Sequence, residues 1–269
     1  MVPVAGDEPI GAAPSPRPAR STNGRRIIVL DLPIDDVTLP EALDAVDAMI
    51  AGGGVHQHLS VNVAKVVAAH RDPAMRAMIH EADLVTADGQ PILWAARLLG
   101  SPLRERVTGI DLMFGLIERA ASRGYRLYLL GARPEIVDAV AERIGREHPG
   151  VTLAGVQHGY WDRKAEAAVV DGIAATKPDI LFVALGSPEK EQFLARWKET
   201  IGAGFVMGVG GAFDVYSGLR RRAPRWMQRA GLEWFYRLAQ DPRRMSSRYL
   251  SDGPRFLWLV LKARLARRA

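Results

Sequence analysis

The sequence predicts an α/β fold in which a parallel sheet has helices on both faces and is followed by a basic helical segment. Short β-branched runs alternate with longer amphipathic stretches over most of the chain, a pattern typical of strand–helix–strand units. Two of these stretches begin at Pro134 and Pro188, and proline is favoured in the first helical turn. From about residue 218 the alternation stops.

Seven short runs rich in Val, Ile and Leu predict the strands, and longer periodic runs predict the helices. The predicted strands are residues 27–30, 56–61, 84–86, 125–130, 152–157, 180–184 and 205–209. The clearest helices are residues 134–147, 163–176 and 188–200, and a last helix is predicted over 254–269. We therefore expect a disordered segment (1–24), an α/β core (25–217) and a C-terminal segment (218–269).

The amino-acid composition excludes several kinds of site and of protein. The 269 residues include no Cys, which excludes disulfides, Cys-ligated zinc and a Cys nucleophile. No run of 18 apolar residues exists, so no spanning helix is expected. Arg25-Arg26 resembles a twin-arginine signal, but the apolar run after it ends at Asp31, and we expect a cytoplasmic protein.

The net charge of +6 is unevenly distributed. Residues 218–269 hold 14 Lys and Arg against three Asp and Glu, a net charge of +11, so the rest of the chain carries −5. Such a basic segment favours an anionic partner: a nucleotide phosphate, a nucleic acid or a lipid headgroup.

Asp88 follows a predicted strand and precedes Gly89, a position that suits a general base but also a helix N-cap. Ser60 and Asn62 share a face of the preceding strand, because strand side chains alternate. They are candidates for hydrogen bonds to a sugar, and the alternative for Asn62 is again a helix cap.

The Gly-rich segment 208–214 follows a strand and could place backbone N–H groups against a phosphate. It includes Gly210 and Gly211, but Asp214 stands where a dinucleotide fingerprint has its third Gly, which argues against a nicotinamide enzyme. No P-loop, no Asp-x-Asp pair and no helical His spacing for a metal occurs. A pyrophosphate would therefore have to be neutralised by Arg and helix N-termini.

The C-terminal segment mixes Arg with Trp, Phe and Tyr. Its last helix has the composition of an interfacial anchor on anionic lipid; the alternative is a helix docked on the body with a solvated basic end. A different class of function, an RNA-binding protein, would also use Arg and aromatic residues. The acidic body and the apolar run 256–261 argue against it.

Nine short motifs together resemble the WecG/TagA/CpsF glycosyltransferase family, from about residue 27 to 250. They are Ser60-Val61-Asn62, Ala87-Asp88-Gly89, Thr108-Gly109-Ile110-Asp111, Leu130-Gly131, Gly159-Tyr160, Ala184-Leu185-Gly186-Ser187-Pro188, Gly210-Gly211-Ala212-Phe213-Asp214, Arg222-Ala223-Pro224, and Glu233-Trp234 with Arg237-Leu238.

The resemblance implies a Rossmann-like fold and an inverting, metal-independent transfer that uses no cofactor. The implied donor is a UDP-sugar of the N-acetylmannosamine type, and the acceptor is linked to polyprenyl diphosphate at the cytoplasmic membrane. The products of the family are cell-surface polysaccharides, including teichoic acid linkage units. A dimer or trimer would be consistent with the resemblance, and no nucleic acid partner is implied.

The resemblance also assigns roles to residues. The base falls on Asp88 and the hydroxyl–amide pair on Ser60 and Asn62. A strand-end Arg falls on Arg106 and a pocket Tyr on Tyr160. The resemblance also implies residues that bind the substrate or the departing UDP. They are Arg237, Arg244, Arg248, Gly186, Glu191, Gly210, Gly211 and Asp214.

One position departs from the family pattern. Where the family has Lys-Gln-Glu after Gly-x-Pro, this chain has Glu189-Lys190-Glu191. Lys190 then replaces an amide that contacts substrate and would favour an acidic sugar or a pyrophosphate. Alternatively, the register is shifted and Gln192 takes that place.

Overall fold

The computed structural model describes residues 25–267, without the side chains of Arg229, Arg237 and residues 243–249. Residues 1–24, predicted to be disordered, and 268–269 lie outside the described residues. Six parallel strands form the main sheet in the order β4-β3-β8-β7-β5-β6, which confirms the predicted fold class. In chain order they are β3 (His56–Val61), β4 (Leu84–Ala87), β5 (Arg126–Gly131), β6 (Thr152–Gln157), β7 (Ile180–Ala184) and β8 (Phe205–Gly208).

Helices cover both faces of this sheet. Those of the core are α1 (Leu39–Gly52), α2 (Val63–Ala69), α3 (Pro73–Glu81), α4 (Gln90–Leu98), α5 (Gly109–Arg123), α6 (Pro134–Glu147), α7 (Glu166–Ala175), α8 (Glu189–Ile201) and α9 (Ala212–Tyr216). Pro134 begins α6 as predicted, whereas Pro188 is the residue before α8 and occupies its N-cap position.

Alternation along β7 shows how one strand serves two cores. Ile180 and Phe182 belong to the cluster that packs against α1, α5 and α6. Leu181 and Val183 belong to the cluster that packs against α7 and α8. All four side chains are fully buried, as expected for a parallel strand covered on both faces.

The first strand does not join the main sheet. The run predicted at 27–30 forms β1 (Arg25–Val29), which pairs antiparallel with β2 (Leu32–Asp36). The guanidinium of Arg26 donates to Asp35 (Nε–Oδ1 2.6 Å), and Asp35 Oδ2 accepts the Val85 N–H of β4 at 2.7 Å. Arg26 is thus part of the folded body, and the Asp35 carboxylate that it contacts joins the hairpin to the main sheet through Val85.

The C-terminal segment consists of α10 (Arg225–Arg229), α11 (Glu233–Gln240) and α12 (Pro242–Ala266). The helix predicted to start at residue 254 begins at Pro242 instead and continues through Pro254. The earlier start also places a proline at the first helical position.

Helix α12 has two different apolar faces. Phe256 and Val260 are buried in the cluster that includes α2 and the hairpin. The second face exposes five large apolar side chains: Leu250 77%, Leu257 68%, Trp258 59%, Leu261 58% and Leu265 59%. The helix is therefore docked on the body and still presents an apolar stripe to solvent. No helix among residues 25–267 is long and apolar enough to cross a membrane.

Candidate active site

The loops after β4, β3, β8 and β7 meet at one edge of the sheet, because these strands are parallel and adjacent. Ligand sites of open parallel sheets form at this carboxyl edge. The edge brings together Asp88, Asn62, the loop Gly208–Gly211 and the loop that starts at Gly186.

Asp88 directly follows β4, and its backbone N–H donates to the Val61 carbonyl at 2.8 Å. The next residue, Gly89, has φ +120° and occupies the N-cap position of α4, with no side-chain hydrogen bond to the helix. Asp88 is therefore not the N-cap residue of α4. Its half-buried carboxylate stands at the carboxyl edge of the sheet.

Asn62 has the capping role that was its alternative interpretation. Its side-chain oxygen accepts the backbone N–H of Lys65 at 3.1 Å and fixes the start of α2. Ser60 lies inside β3 and is half-buried. A Cβ on Gly109 would lie 3.9 Å from Ser60 Oγ, so the start of α5 closely approaches this hydroxyl.

A buried charged cluster lies beside these residues. Both Lys65 Nζ (3.5 Å) and Lys190 Nζ (3.3 Å) contact the same oxygen, Oε1 of Glu191. Glu191 is fully buried and Lys190 is 7% exposed, whereas Gln192 is exposed. Lys190 therefore belongs to this buried cluster and Gln192 does not.

Mutual electrostatics shift the pKa values of this cluster. Burial and the positive charge of Lys190 together lower the pKa of Lys65 to about 8, against the opposing effects of Glu191 and Asp88. Burial alone would raise the pKa of Glu191, but Lys190 and Lys65 hold it below its ordinary value. The carboxylate thus stays ionised between two ammonium groups.

The Gly-rich loop follows β8 and leads into α9. Gly210 adopts φ +52°, a conformation that favours glycine. The Asp214 carboxylate lies 3.5 Å from Arg220 Nε, so this acid has a basic partner on the chain itself. Gly208 has a separate packing role, because a Cβ there would lie 2.4 Å from Lys190 Cδ.

A second charged cluster joins the C-terminal segment to the core. Arg106 Nη1 donates to Glu233 Oε2 at 2.9 Å. Arg222 donates to both carboxylate oxygens of Asp111, at 2.5 and 2.8 Å, and its Nε lies 3.6 Å from Glu233 Oε1. Two guanidinium groups and two carboxylates thus neutralise one another. Arg106 lies between α4 and α5 rather than at the end of a strand.

The pKa of Asp111 reflects this pairing. Burial raises it, but hydrogen bonds from Arg222 and Thr108 overcome that effect and lower the pKa below 3.8. Thr108 is also the N-cap of α5 and accepts the Asp111 N–H at 3.1 Å, so the helix start orients the carboxylate.

An open cavity of about 450 Å³ lies where the C-terminal segment meets the core. Its lining includes Gln90, Arg106, Arg225 and Gln228. A Cβ on Gly231 would lie 2.8 Å from Gln90 Cγ, so the turn between α10 and α11 rests on the residue that begins α4. Gln90, which lines the cavity, is two residues along the chain from Asp88.

The remaining predicted site residues are exposed or have side chains outside the described residues. Tyr160 follows β6 and is 68% exposed; a Cβ on its neighbour Gly159 would lie 3.0 Å from Leu185 Cδ2, so this loop approaches the loop after β7. Arg237 lies on α11, and Arg244 and Arg248 lie on α12, but the side chains of all three are outside the described residues. Within 25–267 no group of three or more His, Asp or Glu could hold a metal ion.

Comparison with known proteins identifies the family of this chain. The model of the WecG/TagA/CpsF family of glycosyl transferases matches residues 27–269. The chain belongs to this family. The resemblance is confirmed, and the match extends past residue 250 through the docked helix α12.

Three similar curated proteins bear the same name, N-acetylglucosaminyldiphosphoundecaprenol N-acetyl-β-D-mannosaminyltransferase. The protein from Bacillus spizizenii W23 is 36% identical over 72% of this chain and 74% of its own length. That from Bacillus subtilis 168 is 34% identical over 76% and 78%. That from Staphylococcus aureus MW2 is 29% identical over 90% and 95%.

A solved structure, a substrate-binding periplasmic protein from Ralstonia solanacearum, is 16% identical with a TM-score of 0.30. It covers 68% of this chain, which spans about half (53%) of that protein's length. A TM-score this low assigns no shared fold.

Membership in a glycosyltransferase family makes this chain an enzyme by class and favours that class over the RNA-binding alternative. The structure adds residues to which the sequence assigned no role: Lys65, Asp111, Arg222 and Glu233. Three of them stand in motifs that carry the resemblance. Lys65 is in none of those motifs, and the only signal in the sequence is its place one helical turn after Asn62.

Proposed function

We propose that this enzyme transfers N-acetylmannosamine or a related sugar from a UDP-sugar to an N-acetylglucosamine linked to polyprenyl diphosphate. The donor and acceptor classes follow the names of the relatives and the family resemblance. The transfer inverts the anomeric configuration and uses neither metal nor cofactor. The observation that carries the chemistry is the position of Asp88 directly after β4, at the carboxyl edge of the sheet.

Asp88 acts as the general base. It takes the proton from an acceptor hydroxyl as that oxygen attacks the anomeric carbon from the face opposite UDP. A carboxylate suits this step because it can accept a proton during bond formation. Gly89 supports the assignment, because its φ of +120° turns the chain directly into α4 and lets substrate approach the carboxylate.

Positive charge and backbone amides stabilise the departing UDP. The loop at Gly210 and Gly211 offers N–H groups, and Lys190 places a buried ammonium near the end of β8. We assign Arg237, Arg244 and Arg248 to the same task on the basis of the resemblance. Such donors are most effective where water is excluded.

The second charged cluster positions the C-terminal segment over the site. The Arg106–Glu233 and Arg222–Asp111 pairs hold α10 and α11 against the loop before α5. This brings Arg225 and Gln228 to the cavity that begins beside Gln90. Arg106 thereby lines the cavity and anchors the segment at the same time.

The exposed face of α12 holds the enzyme at the cytoplasmic side of the membrane. Trp258 stacks under the Lys262 ammonium at 5.2 Å, so an aromatic ring and a cation occupy the same surface. This pairing is typical of helices that lie at an anionic headgroup interface. The acceptor is lipid-linked in our proposal, so binding at that surface would bring the enzyme to its substrate.

The test is release of UDP from a panel of UDP-sugars, with and without a polyprenyl-diphosphate-linked GlcNAc acceptor, in EDTA and in Mg²⁺. We expect acceptor-dependent release from UDP-ManNAc or a close relative at equal rates in both buffers. NMR of the product should show the anomeric configuration opposite to that of the donor. Release that requires Mg²⁺ contradicts metal independence, and a retained configuration contradicts inversion. No release with any donor contradicts the proposed reaction.

A further inference from the structure

Another cavity, of about 360 Å³, lies between the β1–β2 hairpin, α2, α4 and the end of α12. Its lining includes His70, which follows α2, and Leu99, which follows α4. Both helices begin at the carboxyl edge of the sheet and run back along it, so their last residues lie at the amino edge. The cavity is therefore at the opposite edge of the sheet from Asp88, and the proposed transfer makes no use of it.

Most of the residues that line this cavity are apolar. They are Ile28, Leu30, Leu99, Leu259, Ala263 and Ala266. Leu30 and Leu99 are buried, whereas Ile28 is 51% exposed. Ile28 lies on the outward face of β1, where the alternation of a surface strand usually places a polar residue. A mostly apolar cavity with a few polar groups is typical of sites that bind an amphipathic small molecule.

Two cations of the lining have no acidic partner. Lys262 and Arg267 both line the cavity, and no carboxylate of the part of the chain that the structure describes forms an ion pair with either. Lys262 instead lies over the Trp258 ring, 5.2 Å from its centroid, and Arg267 donates to the Leu99 carbonyl. Neither contact neutralises a positive charge, so both cations can still attract an anion.

One acid and one histidine complete the lining. Asp31 Oδ2 lies 3.9 Å from His70 Nε2, and the Asp31 side chain is 82% exposed. His70 Nδ1 donates to the Val66 carbonyl at 2.9 Å, which orients the ring. With His70 counted as neutral, the lining carries two positive charges and one negative charge. The negative charge is the one that solvent screens most, so the cavity favours an anionic ligand.

The end of α12 is held to the body beside this cavity. Arg264 donates to the Leu98 carbonyl and Arg267 to the Leu99 carbonyl. Two guanidinium groups thus bind carbonyls at the end of α4, where a helix leaves such groups without a partner of its own. This contact fixes the wall that α12 contributes. Leu261, exposed in the apolar stripe of α12, is adjacent in sequence to that wall, so the cavity borders the stripe.

We propose that this cavity binds the phosphate and glycerol part of one anionic glycerophospholipid, whose acyl chains leave along the apolar stripe of α12 into the bilayer. Lys262 and Arg267 bind the phosphate, and Ile28 and Leu259 contact the beginning of the chains. The inference rests on the membrane surface in the proposed function, but not on the donor, the acceptor or the base. It adds to that surface a defined site that selects lipids by charge.

Isothermal titration calorimetry of the full chain with dihexanoylphosphatidylglycerol, below its critical micelle concentration, tests the site without a bilayer. We expect saturable binding of one lipid per chain. Dihexanoylphosphatidylcholine, which has the same chains and no net charge, should bind about tenfold more weakly because it lacks the net attraction to the two cations. Inorganic phosphate, which lacks the apolar part, should also bind about tenfold more weakly or worse.

Substitutions separate the charges of the site from its shape. Lys262→Gln should weaken phosphatidylglycerol binding about tenfold. Arg255→Gln is the matched control, because Arg255 is an exposed cation of the same helix that does not line the cavity. Ala266→Leu narrows the cavity at an exposed position without changing its charge and should also weaken binding. Ala168→Leu, at an exposed position on α7, should not.

Asp31→Asn should have the opposite effect and tighten phosphatidylglycerol binding. It removes the carboxylate of the lining, which repels the lipid phosphate. Asp31 has φ +61°, a conformation that asparagine also adopts readily, so the turn should keep its shape. Thermal denaturation of each variant checks that the fold is retained. Unchanged or weaker binding by a folded Asp31→Asn protein would contradict the assigned position of the phosphate.

Four results would overturn the proposal. They are the absence of saturable phosphatidylglycerol binding, equal affinity for phosphatidylcholine, equal affinity for inorganic phosphate, and equal losses in Lys262→Gln and Arg255→Gln. The second shows that charge does not select the lipid, and the third shows that the apolar walls contribute nothing and the site takes a free anion. The fourth shows a general effect of positive charge on α12.

Failure of this site is distinguishable from failure of the membrane surface. Leu250→Ser with Leu257→Ser removes apolar residues of the exposed stripe that do not line the cavity. This double variant should bind vesicles of phosphatidylglycerol less tightly and still bind the short-chain lipid like wild type. If wild type binds vesicles but not the short-chain lipid, only the lipid site is overturned. If the double variant binds vesicles like wild type, the stripe is not the membrane surface.

Discussion

The side chain of Lys190 lies directly across Gly208: a Cβ on residue 208 would be 2.4 Å from Lys190 Cδ and 2.5 Å from Cε. Real side chains do not approach this closely, so the glycine at the end of β8 and the lysine at the start of α8 depend on each other. This contact keeps the buried ammonium beside Glu191.

Gly208→Ala should therefore displace Lys190 and destabilise the protein by about 1–3 kcal/mol through overpacking. In a Lys190→Ala background the same substitution should cost much less, because the clashing atoms are gone. Urea denaturation of the four proteins of this double-mutant cycle measures the coupling. Additive losses would show that the two positions are independent.

Glu233→Ala should loosen the C-terminal segment. It leaves the guanidinium groups of Arg106 and Arg222 without the carboxylate that both approach, and breaking a partly buried pair typically costs about 3 kcal/mol. Hydrogen exchange of residues 225–240 should accelerate, while exchange in β5 and β7 should not. Arg221→Ala, an exposed arginine of the same segment, is the control. Unchanged exchange in Glu233→Ala would remove the anchoring role.

Asp111 should make stability depend on pH in the acid range. Its folded pKa is depressed, so its contribution is fully present above the unfolded pKa and is lost as pH falls through the folded value. Asp111→Asn should therefore be clearly less stable than wild type at pH 7, and the difference should narrow toward pH 3. Urea denaturation at both pH values measures this, and a constant difference would contradict the account.

The two faces of α12 should respond differently to substitution. Trp258→Ser with Leu261→Ser, on the exposed face, should weaken binding to vesicles containing anionic lipid without lowering Tm. Phe256→Ala, on the buried face, should cost about 3–5 kcal/mol. Vesicle sedimentation and thermal denaturation separate these effects. Wild-type vesicle binding by the double variant would contradict the proposed membrane surface.

Most of the sheet could be predicted from the alternation of short strand-like runs with amphipathic stretches: the predicted limits of β3, β6 and β7 are those observed, although only β7 is a continuous apolar run. Strand β2 was missed because it contains Pro33, Asp35 and Asp36, which argue against a strand. The buried Asp35 carboxylate is stabilised there by the Arg26 guanidinium, and the sequence alone does not show this contact. The predicted start of the last helix was wrong because a proline can also lie inside a helix.

The candidate site was predictable where chemistry follows directly from a strand end, as at Asp88. It was not predictable where distant segments pair. Arg222 and Asp111 are 111 residues apart, and no spacing rule relates them. The cap at Asn62 and the ammonium of Lys65 were equally hidden, because the first was one of two open interpretations and the second needs α8 to acquire its partner.

The central claim is that Asp88 removes the acceptor proton, and single-turnover transfer with preformed enzyme–donor complex tests it most directly. Asp88→Asn should bind the UDP-sugar as tightly as wild type but transfer it about a hundredfold more slowly or worse. Asp171→Asn, which changes an exposed aspartate on α7, should transfer at the wild-type rate. Transfer by Asp88→Asn at the rate of Asp171→Asn would contradict the account.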